Sequence, residues 1–301
     1  MKKNDYVTKL MKRRSIVALC AGVLTVIIAF YGIIAGVNKT NIDLGKNGFL
    51  SFIYFTMISN TLAMLSAAFT IPFAVEGIRK KRFTLPKWIA LMHYSATISV
   101  TVMLLCVLSF ISWVSPDDAF GGANIVTHIF CPVLILISFF QIENEYIYTL
   151  KNQSLGMVPL CLYIIAYFVE VILIGEANGG WPDIYHIKDF LPYYFAIPIL
   201  FLFGLGISFA IRVLSNRLTD IRRARMFSLW KEDADSSEVC GEAYSLGVMI
   251  GLKGEKNNIQ IPYDVLEYLA QKYELNVDEL TKPFMKGIMD GLKDREQNIT
   301  V

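Results

Sequence analysis

The chain has 301 residues, 54% of them hydrophobic and only 18% charged, with a mean hydropathy of +0.48. These values exclude an ordinary soluble globule and describe an all-α polytopic membrane protein. The net charge of +2 gains meaning only when mapped onto the loops between the apolar runs.

Six runs of about 20 apolar residues qualify as spans. The first, Ser15–Val37, follows Lys2, Lys3, Lys9, Lys12, Arg13 and Arg14. It has the length of a full span and no small-x-small site, unlike a cleaved signal. Five residues separate Cys20 from Arg14, too few for a lipoprotein signal, so Cys20 is expected to be a buried apolar residue. The second and third spans are Phe49–Val75 and Trp88–Val114, joined by a loop with Arg79, Lys80, Lys81, Arg82 and Lys87. His93, near the cytoplasmic end of the third, is expected at the interface. Asn124–Ile142, Gly156–Gly175 and Leu191–Leu214 complete the set, and Arg217, Arg222, Arg223 and Arg225 follow the last. The alternate loops are poor in bases. The positive-inside rule therefore puts both termini in the cytoplasm of a cell-membrane protein. Cys20, Cys106, Cys131 and Cys161 lie in spans, and no disulfide framework is implied. The domains are then a membrane domain, 1–228, and a cytoplasmic module, 229–301.

Polar groups collect in the outer half of these spans. Thr56, Ser59 and Asn60 recur at i, i+3 and i+4 and share one helix face. Thr56 is expected seven residues into its span, roughly 10 Å deep, and His128 four residues into the fourth, roughly 6 Å deep. Glu170 falls near the outer end of the fifth. The outer loop Glu176–Phe190 adds Trp181, Asp183 and His186. Ionisable groups at such depth are costly and mark function. Pro132 has no N–H, so the carbonyl of His128, four residues earlier, is expected to lose its helical partner at a kink. Cys131 lies one turn from His128.

Three segments, YFTMISN, THIFCP and GGWPDIYHIKDFLPYY, resemble signatures of one group. It comprises the bacterial six-helix membrane proteins related to the androgen-induced and androgen-dependent membrane hydrolases of animals. The resemblance covers roughly residues 15–214, and the threonine segment is its most specific part. The animal members hydrolyse fatty acid esters of hydroxy fatty acids with an intramembrane threonine and a histidine. Residue by residue, the resemblance puts the threonine on Thr56 and the histidine on His128. This chain has Thr-x-x-Ser-Asn where the animal proteins have an asparagine three residues after the threonine.

The same chemistry follows from residue types. A threonine hydroxyl needs a base to become a nucleophile, and neutral imidazole serves as one. Asn60 is a candidate oxyanion donor. Glu170 or a loop carboxylate is the candidate to orient His128. The implied substrate is a lipid ester from the outer leaflet, among other membrane lipids, with no cofactor or metal. Cys131 is a weaker nucleophile candidate. Other assignments remain open. Thr56 can bond its own backbone, and Ser59, Ala63 and Ala67 form a stripe for helix packing. Glu170 can pair with a nearby amide or hydroxyl, and Trp181, Tyr193 and Tyr194 fit an aromatic belt. A transporter, channel or lipid-binding protein is the non-enzyme alternative. A metal-dependent hydrolase or acyltransferase is another, with His128, Glu170, Asp183 and His186 as ligands.

Residues 229–301 carry 14 acidic and 8 basic residues. The basic stretch Arg212–Arg225 should lie on anionic headgroups, and the acidic module beyond should stay in water. That module repeats itself: YSLGVMIGLK, 244–253, matches FMKGIMDGLK, 284–293. Two similar helices are predicted there, packing by their glycines against Ile261–Tyr273, with Pro262 and Pro283 in first turns. The acidity excludes nucleic acid as partner. A homo-oligomer or protein contact through this module is the expectation.

Overall fold

The computed structural model describes residues 3–43, 47–80, 85–142, 147–185, 187, 192–231, 247 and 277–299. Among them there is helix of α, π and 3-10 type and no strand. The principal helices are α1 (Lys3–Asn38), α2 (Phe55–Lys80), α3 (Lys87–Cys106), α4 (Cys131–Ile142), α5 (Val158–Tyr167), α6 (Tyr193–Lys231) and α7 (Val277–Ile299). Lys12–Asn41, Phe55–Arg79, Lys87–Ile111 and Tyr193–Thr219 are long and apolar enough to cross a membrane. Leu150–Gly156 with Val158–Ile174 makes a fifth if the pair, bent by 41°, is one span. Val126–Gln141 is a shorter apolar helix. The chain is thus a helical multi-pass membrane protein.

One compact unit comprises Val7–Asn144 and Tyr148–Thr219. Within it, α3 packs against α2, α4, α5 and Leu150–Gly156. Its residues from Ser95 to Val100 are all buried. Small side chains make that possible, and their hydroxyls turn back onto their own helix. Thr97 donates to the carbonyl of His93 (2.8 Å) and Ser99 to that of Ser95 (2.9 Å). Polar groups satisfied inside one helix leave a smooth surface that neighbours approach closely. Tyr94 crosses to α6, its hydroxyl 3.0 Å from the carbonyl of Ser208. A Cβ on Gly156 would stand 2.6 Å from Tyr94 Cε1, so helix Leu150–Gly156 is seated tightly on α3.

Two expectations fail in this unit for geometric reasons. His93 is fully buried, with Nδ1 3.3 Å from Ser66 Oγ, because its face of α3 turns toward α2. Cys20 is exposed on the outer surface of α1. In a span that surface faces lipid, which suits a thiol as well as a core does.

The other unit comprises Met1–Tyr6, Glu145–Ile147 and Asp220–Val301. The boundary between the two units falls inside α6, after Thr219, and the helix continues unbroken to Lys231. In α7, Leu280, Phe284 and Ile288 form a buried stripe at helical spacing, while Met285 and Met289 are exposed. The backbone of Gly247 rests on α7 so closely that a Cβ there would strike the carbonyl of Phe284. Of the repeat YSLGVMIGLK, only Gly247 is among the described residues; Pro262 and Ile261–Tyr273 are not. Pro283 lies inside α7, not in its first turn. The helix starts at Val277, six residues before Pro283.

Candidate active site

Helix α2 begins later than hydropathy implies. A 3-10 segment, Gly48–Ile53, enters first, and Tyr54 then adopts extended backbone (φ −82°, ψ 131°). Tyr54 is therefore the N-cap residue, and its carbonyl accepts from Met57 N (3.1 Å) and Ile58 N (3.4 Å). Thr56 is the second residue of α2, not a residue seven positions into a helix. Apolar runs report burial, and a 3-10 turn is as apolar here as the helix it precedes. The consequence is chemical. Thr56 stands at the positive end of a helix, where N–H groups lack intrahelical partners.

The Thr56 hydroxyl meets His128. Its Oγ1 is 3.3 Å from His128 Nε2, and His128 is buried. The other ring nitrogen, Nδ1, is 2.7 Å from the carbonyl of Ala119. A carbonyl only accepts, so Nδ1 carries the proton and Nε2 presents its lone pair to the hydroxyl. This is the tautomer a general base needs. Ala119 lies in a short helix, Pro116–Phe120, after the third span. The orienting group is thus a backbone carbonyl, rather than Glu170 or a loop carboxylate. Glu170 sits in the π segment Phe168–Ile174 and makes no side-chain hydrogen bond or ion pair among the described residues.

His128 itself lies in a π turn, Val126–Phe130, just before α4. In that register Cys131 N bonds to the carbonyl of Val126, five residues back. The next N–H would serve Thr127, but residue 132 is proline and has none. The carbonyl released is therefore that of Thr127, one residue before the position expected for an α-helix. Asn60 takes it. Its Nδ2 donates to the Thr127 carbonyl (3.3 Å) and to the Thr56 carbonyl (2.8 Å). Flipping the amide would set Oδ1 against two carbonyl oxygens, so the assignment follows from the partners. Asn60 thus ties the two backbones that carry Thr56 and His128. With both amide protons spent, it is not an oxyanion donor. Asn60→Ala is expected to lower stability by about 1 kcal/mol, in line with interhelical polar contacts in membranes. A thermal melt in detergent measures this.

The remaining candidates divide. Ser59 is buried and donates to the Thr56 carbonyl (3.2 Å). Cys131 is buried with a free thiol. Trp181 is half-buried. His186 lies outside the described residues. Asp183 anchors the loop that follows Gly175: it accepts from Tyr167, from Tyr193 (2.9 Å) and from the Ile187 N–H (3.2 Å). Tyr193 thereby has a specific partner and is more than a belt residue. Tyr185, two residues after Asp183, reaches the start of α2. Its phenol oxygen accepts from the Phe55 N–H at 2.8 Å, capping a helix N-terminus from 130 residues away in sequence. Tyr163 lies 3.4 Å from that oxygen and donates to the carbonyl of Ile53 (2.8 Å). Desolvation pushes the Tyr185 phenol up to about 12, so it stays neutral at physiological pH. Gly179 (φ +90°) and Gly180 let the loop turn back, since a Cβ on Gly180 would strike the carbonyl of Glu170.

Sequence reasoning missed Ala119, Tyr163, Tyr167 and Tyr185. The carbonyl of Ala119 leaves no side-chain signal. The tyrosines do recur, Tyr163 and Tyr167 four apart on one face, and that spacing was the available clue. Among the described residues no three His, Cys, Asp or Glu side chains group to hold a metal ion. No family model, curated protein or solved structure matches the chain.

Proposed function

We propose that this protein is an intramembrane hydrolase of lipid or fatty-acid esters, with Thr56 as nucleophile and His128 as general base. The observation that carries it is the 3.3 Å approach of Thr56 Oγ1 to His128 Nε2, with Nδ1 held by Ala119. The resemblance to the bacterial relatives of animal fatty-acid-ester hydrolases points the same way. In this reading six spans cross the cell membrane with both termini in the cytoplasm. The shorter helix Val126–Gln141 is the fourth span. The loop bases support that orientation, and it sets the pair near the outer face.

In the reaction, Thr56 Oγ1 attacks the ester carbonyl while its proton passes to His128 Nε2. The tetrahedral intermediate collapses as that proton moves to the departing alkoxide, leaving an acyl-threonine and an alcohol. Water, deprotonated by His128, then attacks the acyl carbonyl. The carboxylic acid leaves, and Thr56 regains its proton.

A fluorophosphonate probe applied to membranes tests the assignment. Wild type is expected to be labelled, and Thr56→Ala and His128→Ala are expected to lose the label. Equal labelling of all three proteins rules out this pair as the reactive centre.

A further inference from the structure

The oxyanion donor is missing from the site as described so far, because Asn60 is committed elsewhere. The first turn of α2 supplies it. Of its leading N–H groups, that of Phe55 is taken by Tyr185 and that of Met57 by Tyr54. The N–H of Thr56 has no hydrogen-bond partner among the described residues. It belongs to the same residue as Oγ1 and lies on the positive end of the helix. A charge that develops on a carbonyl attacked by Oγ1 forms beside it. We infer that the Thr56 N–H is the oxyanion donor and that Tyr185 is the positioning residue that holds it there. The inference rests on the Thr56–His128 assignment and adds the group that stabilises its transition state.

Tyr185 suits the role for three reasons. It occupies the adjacent donor, Phe55 N–H, and so fixes the plane of the turn. Its ring is fixed edge-on to Tyr54, the N-cap residue, at 6.4 Å and 89°. Its loop is pinned two residues away, where Asp183 binds Tyr167 and Tyr193 from two different helices. Without the phenol oxygen, the Phe55 N–H must find another acceptor and the turn is free to unwind by one residue. Oγ1 and N–H then lose their common orientation. Preorganised donors aimed at developing charge are a large part of catalysis.

Two ligands with the same alkyl tail separate this from a packing role. A long-chain alkyl trifluoromethyl ketone accepts Thr56 Oγ1 at its carbonyl carbon. The carbonyl electron pair moves to oxygen, and the hydroxyl proton goes to His128. The matching methyl ketone binds without forming the adduct and reports pocket and fold. In Tyr185→Phe, affinity for the fluorinated ketone is expected to fall about tenfold, the loss typical of a helix cap, while affinity for the methyl ketone is unchanged. Asp183→Asn is expected to follow with a smaller loss. If both ketones weaken equally in Tyr185→Phe, the residue only shapes the pocket and the inference is overturned. If neither weakens, the inference is likewise overturned, while the Thr56–His128 pair stands. If wild type binds the fluorinated ketone no better than the methyl ketone, the pair itself falls and the inference falls with it.

Discussion

His128→Ala is expected to slow acylation of Thr56 by about 10²–10⁴-fold, the range for loss of a positioned general base. Thr56→Ala should remove acylation altogether, because Thr56 is the α2 hydroxyl that bonds His128. Ser59, the next hydroxyl along α2, donates to the Thr56 carbonyl instead. Residues acting as one unit do not add, so the double variant should be no worse than Thr56→Ala. Time courses of fluorophosphonate labelling measure all three. Labelling that survives in Thr56→Ala contradicts the assignment of Thr56 as the group that His128 serves. At 3.3 Å the contact is loose, and catalytic hydrogen bonds of this kind tighten when substrate fills the site. The Nδ1 anchor at 2.7 Å is the firm one. His128→Ala also frees the Ala119 carbonyl, so a melt of the variant must accompany the rate.

The pairing of Thr56 with His128 was legible because both residues start their helices from one side, and depth along a span can be counted. The depth itself was not. Counting from Phe49 assumed helix where the chain makes a 3-10 turn, and hydropathy is blind to that difference. Asn60 shows a second limit. An amide four residues after a nucleophile reads as a donor to substrate, but here a proline 72 positions later frees the carbonyl that claims it. The sequence shows Pro132; only the π register selects Thr127 over His128 as the carbonyl released. His93 shows a third. Its place near a helix start suggests the interface, yet its face of α3 turns toward α2 and is buried, while Trp88 beside it stays exposed. Tyr185 and Tyr193 carry no polarity signal that separates a membrane belt from a hydrogen-bonded latch. Only the positions of Asp183 and the Phe55 N–H make that distinction.

The second large effect concerns α1, which holds the π turn from behind. Gly32 faces Thr127 so closely that a Cβ would collide with Thr127 Cγ2. Gly36 approaches Met57 in the same way, 2.9 Å from its Sδ. A single helix therefore presses on residues adjacent to both His128 and Thr56. Thr127 cannot yield by rotating, because its Oγ1 is bound to the Asn124 carbonyl (3.1 Å) and β-branched side chains are stiff at χ1. Gly32→Ala is expected to destabilise the protein by about 1–3 kcal/mol, the usual cost of overpacking. The strain falls on the turn that aims His128, so the labelling rate should drop at least about tenfold, as small misplacements of catalytic groups do. Thr127→Ser removes the colliding methyl and keeps the hydroxyl. Alone it should cost little; combined with Gly32→Ala it should restore most of the stability and the rate. Melting temperatures and labelling rates of the four proteins form a closed cycle. Additive losses mean that the two residues do not meet. A cycle that recovers stability but not rate means that the π turn does not aim His128.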